Sequence, residues 1–261
     1  MELLTYLITG AVAGLLAGLL GIGGGLVIVP ALAVLFRRQG FAADTLMHFA
    51  IGTSLATIVV TSVSSLLAHH RRGSVYWHAV RRLTPGIVLG ALGGAWLARQ
   101  ISSPGLGVVF GVFEILVALQ LLSGRQPAPH RTLPGALGLG AAGTVIGAIS
   151  ALLGIGGGTL TVPYMLWNRI DIRTAVGTAA ACGLPIAVAG AAGFALGRGN
   201  GVDSGGLSTG FLYWPATAGI VASSILLAPL GARLAHRLPR QALQRIFALV
   251  LLVIGFRMIA G

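Results

Sequence analysis

Leu20-Gly21-Ile22-Gly23-Gly24-Gly25 interrupts a long apolar run, and the same order returns as Leu153-Gly154-Ile155-Gly156-Gly157-Gly158. A proline follows each motif, Pro30 in the first case and Pro163 in the second. Working outward, Ala50-Ile51-Gly52-Thr53-Ser54 matches Ala175-Val176-Gly177-Thr178-Ala179, and Tyr76-Trp77 matches Tyr213-Trp214. Gly94-Ala95-Trp96-Leu97-Ala98 then matches Gly231-Ala232-Arg233-Leu234-Ala235. Matches kept in order at offsets of 125 to 137 residues imply an internal duplication. The repeats are expected over 1–123 and 135–261, joined by a cytoplasmic linker over 124–134.

Composition says which solvent the repeats meet. Mean hydropathy is +0.93, and 8% of the 261 residues are charged, against roughly 25% in a soluble domain. Apolar runs of the length needed to cross hydrocarbon, about 20 residues, recur along the whole chain. In the first half they cover 3–36, 44–68, 79–98 and 105–123; in the second, 135–168, 174–197, 212–232 and 241–260. The leading run of each half carries the glycine break. Without a basic region before it, the first run is expected to be kept rather than cleaved.

Arginine decides how the broken runs lie. The net charge is +12 and there is no lysine. The arginines cluster between apolar runs, so they read as topology signals and contacts for lipid head groups, not as a nucleic-acid surface. If each broken run crossed once, the two sides would carry 8 and 9 arginines. If each turns back at its glycines, the division becomes twelve against five, which the positive-inside rule can use. Turned-back runs leave an odd number of full crossings per half, so tandem halves face opposite ways. The expected architecture is an all-α polytopic inner-membrane protein of two inverted-topology repeats. Each is a glycine-broken helical hairpin, re-entrant or double-pass, plus three transmembrane helices, and both termini are extracytoplasmic. Inverted repeats of this kind are a hallmark of secondary transporters.

The chemistry is expected at the breaks. Glycine costs about 1 kcal/mol relative to alanine inside a helix, so a helix stops at Gly21–Gly25 and at Gly154–Gly158. The helix that restarts presents free backbone N–H groups at membrane depth, where an anion can accept from them. Gly23, Gly24, Gly25, Gly156, Gly157 and Gly158 are therefore candidate substrate contacts, with tight helix crossing as the alternative use of such glycines. Thr53, Ser54 and Thr57, with Thr178 as the mate of Thr53, form a second polar cluster. Their hydroxyls suit an oxyanion or, equally, bonds within and between helices. Thr159 and Thr161 follow the second break, and Thr159 joins the candidate contacts.

Glu114 stands alone as a carboxylate inside an uninterrupted apolar run. It and His48 are candidates for proton coupling, beside purely structural roles. His69-His70, next to Arg71-Arg72, reads as an interfacial pair and not as a metal site. The single Cys182 excludes an intrachain disulfide. No motif asks for a cofactor or metal. HExxH, GxSG and paired intramembrane aspartates are all missing, which disfavours an intramembrane enzyme, and a lone Glu114 disfavours a cation carrier.

With its two Leu-Gly-Ile-Gly-Gly-Gly motifs, the prolines after them, and the Gly-Thr-Ser and Gly-Thr-Ala segments, the chain resembles the TauE/SafE sulfite exporter family. The resemblance covers nearly the whole chain. It implies export of sulfite, sulfoacetate or related sulfur oxyanions, perhaps proton-coupled, with the glycine breaks and the threonines after them along the route. Ala179 departs from the serine at Ser54. Transport of another small anion and a membrane scaffold or assembly role stay open as alternatives. The lipid bilayer is the expected environment, and a homodimer is carried as an expectation without a sequence signal.

Overall fold

The computed structural model describes residues 2–20, 24–123, 132–197, 207–235 and 240–260. Apolar runs in hydrocarbon must satisfy their backbone polar groups internally, and among the described residues they do so as ten helices. In the first half these are α1 (Glu2–Leu20), α2 (Gly25–Arg38), α3 (Leu46–Arg71), α4 (Trp77–Ala98) and α5 (Ser103–Ser123). Their counterparts are α6 (Ala136–Leu153), α7 (Gly158–Trp167), α8 (Ile172–Ala195), α9 (Trp214–Ala235) and α10 (Arg240–Ala260). Among the described residues, α3, α5, α6 and α8 are long and apolar enough to cross a bilayer. Outward-facing Leu226 (74% exposed), Leu89 (69%) and Val253 (68%) stand where a water-soluble protein would carry polar groups.

The second glycine motif breaks the helix. Gly154 ends α6 in the left-handed conformation (φ 68°), which a side chain would disfavour. Ile155 N–H then donates back to Ser150 O over 2.9 Å and Gly154 N–H to Ala151 O over 3.3 Å, a Schellman closure. Residues 21–23, including the candidate contact Gly23, lie outside the described residues.

Each broken run returns to the end it came from. Near the start of α1, the Tyr6 hydroxyl donates to Gln39 Oε1 over 2.6 Å, just past the end of α2. In the second half, α6 starts level with the start of α4, because Gly140 packs on Gly86. Beyond α7, the start of α8 reaches that same end, where Gly177 packs against the Ser74 carbonyl.

The closest helix crossings use small residues. Gly86, Gly90 and Gly94 of α4 face Gly140, Thr144 and Ala148 of α6 in a parallel register, and Gly10 and Gly14 of α1 face Ile220 and Ser224 of α9. Glycine lets these backbones approach until dispersion contacts and interhelical bonds form, such as Ser224 Oγ to Gly10 O at 2.9 Å. Exchanging the halves converts one pair into the other. It likewise maps α3 against α8 and α5 against α10 onto themselves.

The two ends differ in chemistry. At one, Phe36 stacks on Phe41 with centroids 4.4 Å apart, Phe41 meets Phe49 at 5.2 Å and Tyr213 at 5.4 Å, and Phe211 meets Phe49 at 5.5 Å. At the other lie Arg71 and Arg72 at the end of α3, Arg81 and Arg82 in the first turns of α4, and Arg169 and Arg173 around the start of α8. There Asp171 caps α8, its Oδ1 accepting from Thr174 N–H over 3.1 Å. Hydrogen bonds from Thr174 hold its carboxyl below the usual value.

The sequence places the third apolar run of the second half at 212–232, but Leu212–Tyr213 instead forms β2, paired antiparallel with β1 (Ser208–Thr209). The turn between them has Gly210 at φ 56°.

Candidate functional site

α3 supplies one wall of a cavity of about 350 Å³. Ile58, Thr61, Ser62, Ser65 and His69 line it from one helix face, at three- and four-residue spacings, and Arg72 lines it from the helix C-cap. The two glycine breaks lie opposite, through Gly24 from the first and Gly156, Gly157 and Gly158 from the second. Ala13 and Gly14 of α1, Ala179, Ala180 and Gly183 of α8, and Ser224, Ile225 and Ala228 of α9 complete most of the enclosure.

Close backbone approach explains the glycines. A Cβ on Gly25 would sit 2.6 Å from the Gly154 carbonyl oxygen, and one on Gly157 would sit 2.7 Å from Ala179 O. The two breaks therefore touch each other and the middle of α8. Ser54 pins this junction from α3, donating to Gly154 O over 2.8 Å. Helices α2 and α7 start at the cavity with Gly24 and Gly157 in the N-cap positions, and no side chain caps either one. Two helix N-termini thus point their partial positive charge at one space. Arg72 adds a full charge near the arginine-rich end. No carboxylate occurs among the described lining residues, so the electrostatics favour an anion.

Of the residues nominated by sequence, Gly24, Gly156, Gly157 and Gly158 line the cavity, and Gly25 lies behind it against Gly154. The threonine pair is elsewhere. Thr53 is fully buried and its hydroxyl oxygen accepts from Tyr213 N–H at 3.0 Å. Its mate Thr178, also fully buried, accepts from Tyr76 N–H at 3.1 Å. Each hydroxyl thus ties one half of the chain to the other. Thr57 bonds back to Thr53 O at 2.9 Å. Thr159 and Thr161 are buried in α7 outside the lining, and Thr161 Oγ1 has no hydrogen-bond partner.

Neither coupling candidate reaches the cavity. Glu114 is fully buried on α5 with both carboxyl oxygens unpartnered, its Cβ close to Gly255 of α10. His48 is buried at the aromatic end, with Nε2 3.1 Å from Ala98 O. Sequence reasoning missed Thr61, Ser62, Ser64, Ser65 and Arg72, and assigned His69 to the interface. The signal was present in Thr61-Ser62-Val63-Ser64-Ser65, a hydroxyl run inside an apolar span that leads by helical spacing to His69 and Arg72.

Residues 6–258 match the family model described as Sulfite exporter TauE/SafE. The chain belongs to the TauE/SafE sulfite exporter family. Relatives along its length carry the name "Probable membrane transporter protein". One from Haemophilus influenzae is 37% identical, covering 98% of this chain and 97% of its own. Another from Xylella fastidiosa is 28% identical, covering 96% and 92%. The Bacillus subtilis relative YunE, also named as a transporter, is 31% identical over 64% of this chain and 68% of its own. No solved structure matches. Membership of TauE/SafE makes this a multi-pass membrane protein from a transporter family, and the cavity between the paired breaks is the feature of its fold that a transported solute would fit.

Proposed function

We propose that this chain is a secondary transporter, not an enzyme, which exports small sulfur-containing anions such as sulfite, sulfoacetate or a related organosulfonate across the inner membrane. One observation carries the reading. A single cavity gathers both glycine breaks, two uncapped helix N-termini, a row of hydroxyls and Arg72, and no described lining residue is acidic. Such a site binds an oxyanion through backbone and hydroxyl donors, with only one formal charge to desolvate.

The transport cycle is alternating access between two inverted repeats. Supporting that orientation, α1 and α2 meet at the aromatic end through Tyr6 and Gln39, whereas α6 and the start of α8 meet residues 74–86 at the other. The positive-inside rule makes the arginine-rich end cytoplasmic, with both termini outside. His69 and Arg72 lie at that end of the cavity, and the aromatic cluster covers the other. This is the arrangement of an inward-facing state that loads its anion from the cytoplasm. Export then requires the aromatic end to open while the arginine-rich end closes.

Flux into proteoliposomes tests the reading. Labelled sulfite and sulfoacetate are offered to wild type and to Gly156→Leu. A Cβ at Gly156 meets only Ile58 Cγ2, at 3.8 Å, so leucine there fills the cavity without striking backbone. The variant is expected to fold and to lose flux. Folded wild type that moves neither anion would favour another small anion or a scaffold role.

A further inference from the structure

Two ionisable side chains, His69 and Arg72, line the cavity among the described residues. They are three apart in sequence, His69 in the last turn of α3 and Arg72 at its C-cap. His69 Nδ1 lies 3.1 Å from Ser74 Oγ, and that hydroxyl donates its own hydrogen to the His69 carbonyl, also over 3.1 Å. With its hydrogen spent there, Ser74 Oγ can only accept from the ring. The neutral imidazole therefore carries its hydrogen on Nδ1, and the lone pair that takes up a further proton is on Nε2.

The other titratable groups differ in place or partner. His70, on the same turn, is exposed and its Nδ1 accepts from Trp77 Nε1 at 3.3 Å. His48 and Glu114 lie outside the lining, as does Arg71. Elements α1, α2, α8 and α9 and the Gly156–Gly158 turn contribute no ionisable side chain to the cavity among the described residues. The imidazole thus faces Arg72 as the one charged neighbour in the cavity, with no carboxylate to neutralise the charge it gains.

We propose that His69 is the residue through which protons set the anion affinity of this cavity: protonated at Nε2, it adds a second positive charge beside Arg72 and tightens binding. The inference rests on the reading of the cavity as an anion site. Its direction is fixed by charge. Affinity rises as pH falls through the range in which the imidazole gains its proton. By linkage, a bound anion in turn favours the protonated imidazole, so proton and anion binding reinforce each other. The coupling is Coulombic across a partly enclosed space, so about a tenfold gain in affinity is expected.

The test is binding of labelled sulfoacetate to the purified full chain in detergent at pH 5.5 and pH 8.0. Both acid groups of this probe stay ionised over that interval, so any change belongs to the protein. Wild type is expected to bind about tenfold more tightly at the lower pH. For His69→Gln the ratio of the two affinities falls to about one, and for His69→Arg the ratio is also near one with affinity raised at pH 8.0. His48→Gln and Glu114→Gln keep the wild-type ratio. Binding at neither pH would overturn the anion reading and the inference with it. Binding of equal strength at both, or a pH response that survives His69→Gln, would overturn the inference alone.

Discussion

Thr53 and Thr178 accept the same backbone hydrogen bond, from Tyr213 and Tyr76 respectively, at opposite ends of the molecule. The two ends share this backbone contact and differ in what surrounds it. Around Tyr213 the chain packs Tyr6, Phe36 and Phe41 with ring centroids 5.4 to 6.4 Å away. Around Tyr76 the described ring contact is His78, at 5.8 Å, and the partly buried tyrosine otherwise packs against an aliphatic cluster that includes Ala79, Val80 and Leu83. A symmetric fold can thus rest asymmetrically. Apolar burial stabilises the ring contacts at the aromatic end, by about 25 cal/mol per Å² removed from water, while the arginine-rich end holds the two ionisable side chains of the described cavity lining.

Access should break the comparison most sharply if it is wrong. The native thiol Cys182 is fully buried, so the wild-type background for labelling is low. Ser65→Cys, on the cavity face, should react with a membrane-impermeant maleimide from the arginine-rich side. Thr217→Cys, a turn below Tyr213 and buried, should react from the other side at least about tenfold more slowly, since each 1.4 kcal/mol of opening costs about a factor of ten. Equal rates would mean that the aromatic cluster does not close its end.

The repeat-mate tyrosines sharpen it next. Tyr213→Ala should lower stability by about 3 to 5 kcal/mol, as large aromatic truncations in cores do, and should speed labelling of Thr217→Cys. Tyr76→Ala, half-buried with fewer ring contacts, should cost about 1 kcal/mol. Thermal unfolding of both variants in one detergent decides it, and similar shifts would remove the energetic difference between the ends.

Much of this was legible in sequence, and what was not has one cause. The glycine breaks announce themselves twice, and the outer bounds of the expected runs differ from the observed helix ends by at most three residues, the scale of loops and fraying ends. Gly24 and Gly156–Gly158 reach the cavity because the break itself forms its wall. Thr53 misleads because its partner is the backbone of Tyr213, 160 residues away, a pairing that no local pattern encodes. Glu114 is buried, as an apolar run implies, but only the packing of α5 on α10 shows that it faces away from the cavity. Conversely, Thr61, Ser62 and Ser65 stand at helical spacing in plain view and go unnoticed beside stronger glycine signals.

The threonines themselves provide a smaller contrast. Thr53→Val keeps the shape but strands a fully buried Tyr213 N–H, for about 1 to 3 kcal/mol. Thr178→Val frees the Tyr76 N–H in a partly buried loop, where water can replace the lost acceptor, so about 1 kcal/mol or less is expected. Denaturant or thermal melts of the two single variants and the double variant test this. The sites are far apart, so their effects should add, and a larger loss at Thr178 would reverse the assignment of the stronger end.

Ser54 and Ala179 give the smallest and most local comparison. They occupy equivalent positions, yet only Ser54 has a hydroxyl to donate to a break, reaching Gly154 O over 2.8 Å. Ser54→Ala removes one donor from a carbonyl at a left-handed glycine, which should cost about 1 kcal/mol and loosen the α6–α7 turn that forms the cavity wall. Ala179→Ser restores sequence symmetry without supplying a matching bond, because a helical serine hydroxyl most readily turns back to the carbonyl of the preceding turn. Its effect should stay within about 0.5 kcal/mol. Melting temperature and sulfoacetate flux, measured on both, separate the roles: Ser54→Ala should lower both, and Ala179→Ser neither. If the two variants behave alike, the hydroxyl does not fix the second break, and the touching backbones of Gly25 and Gly154 hold the junction without it.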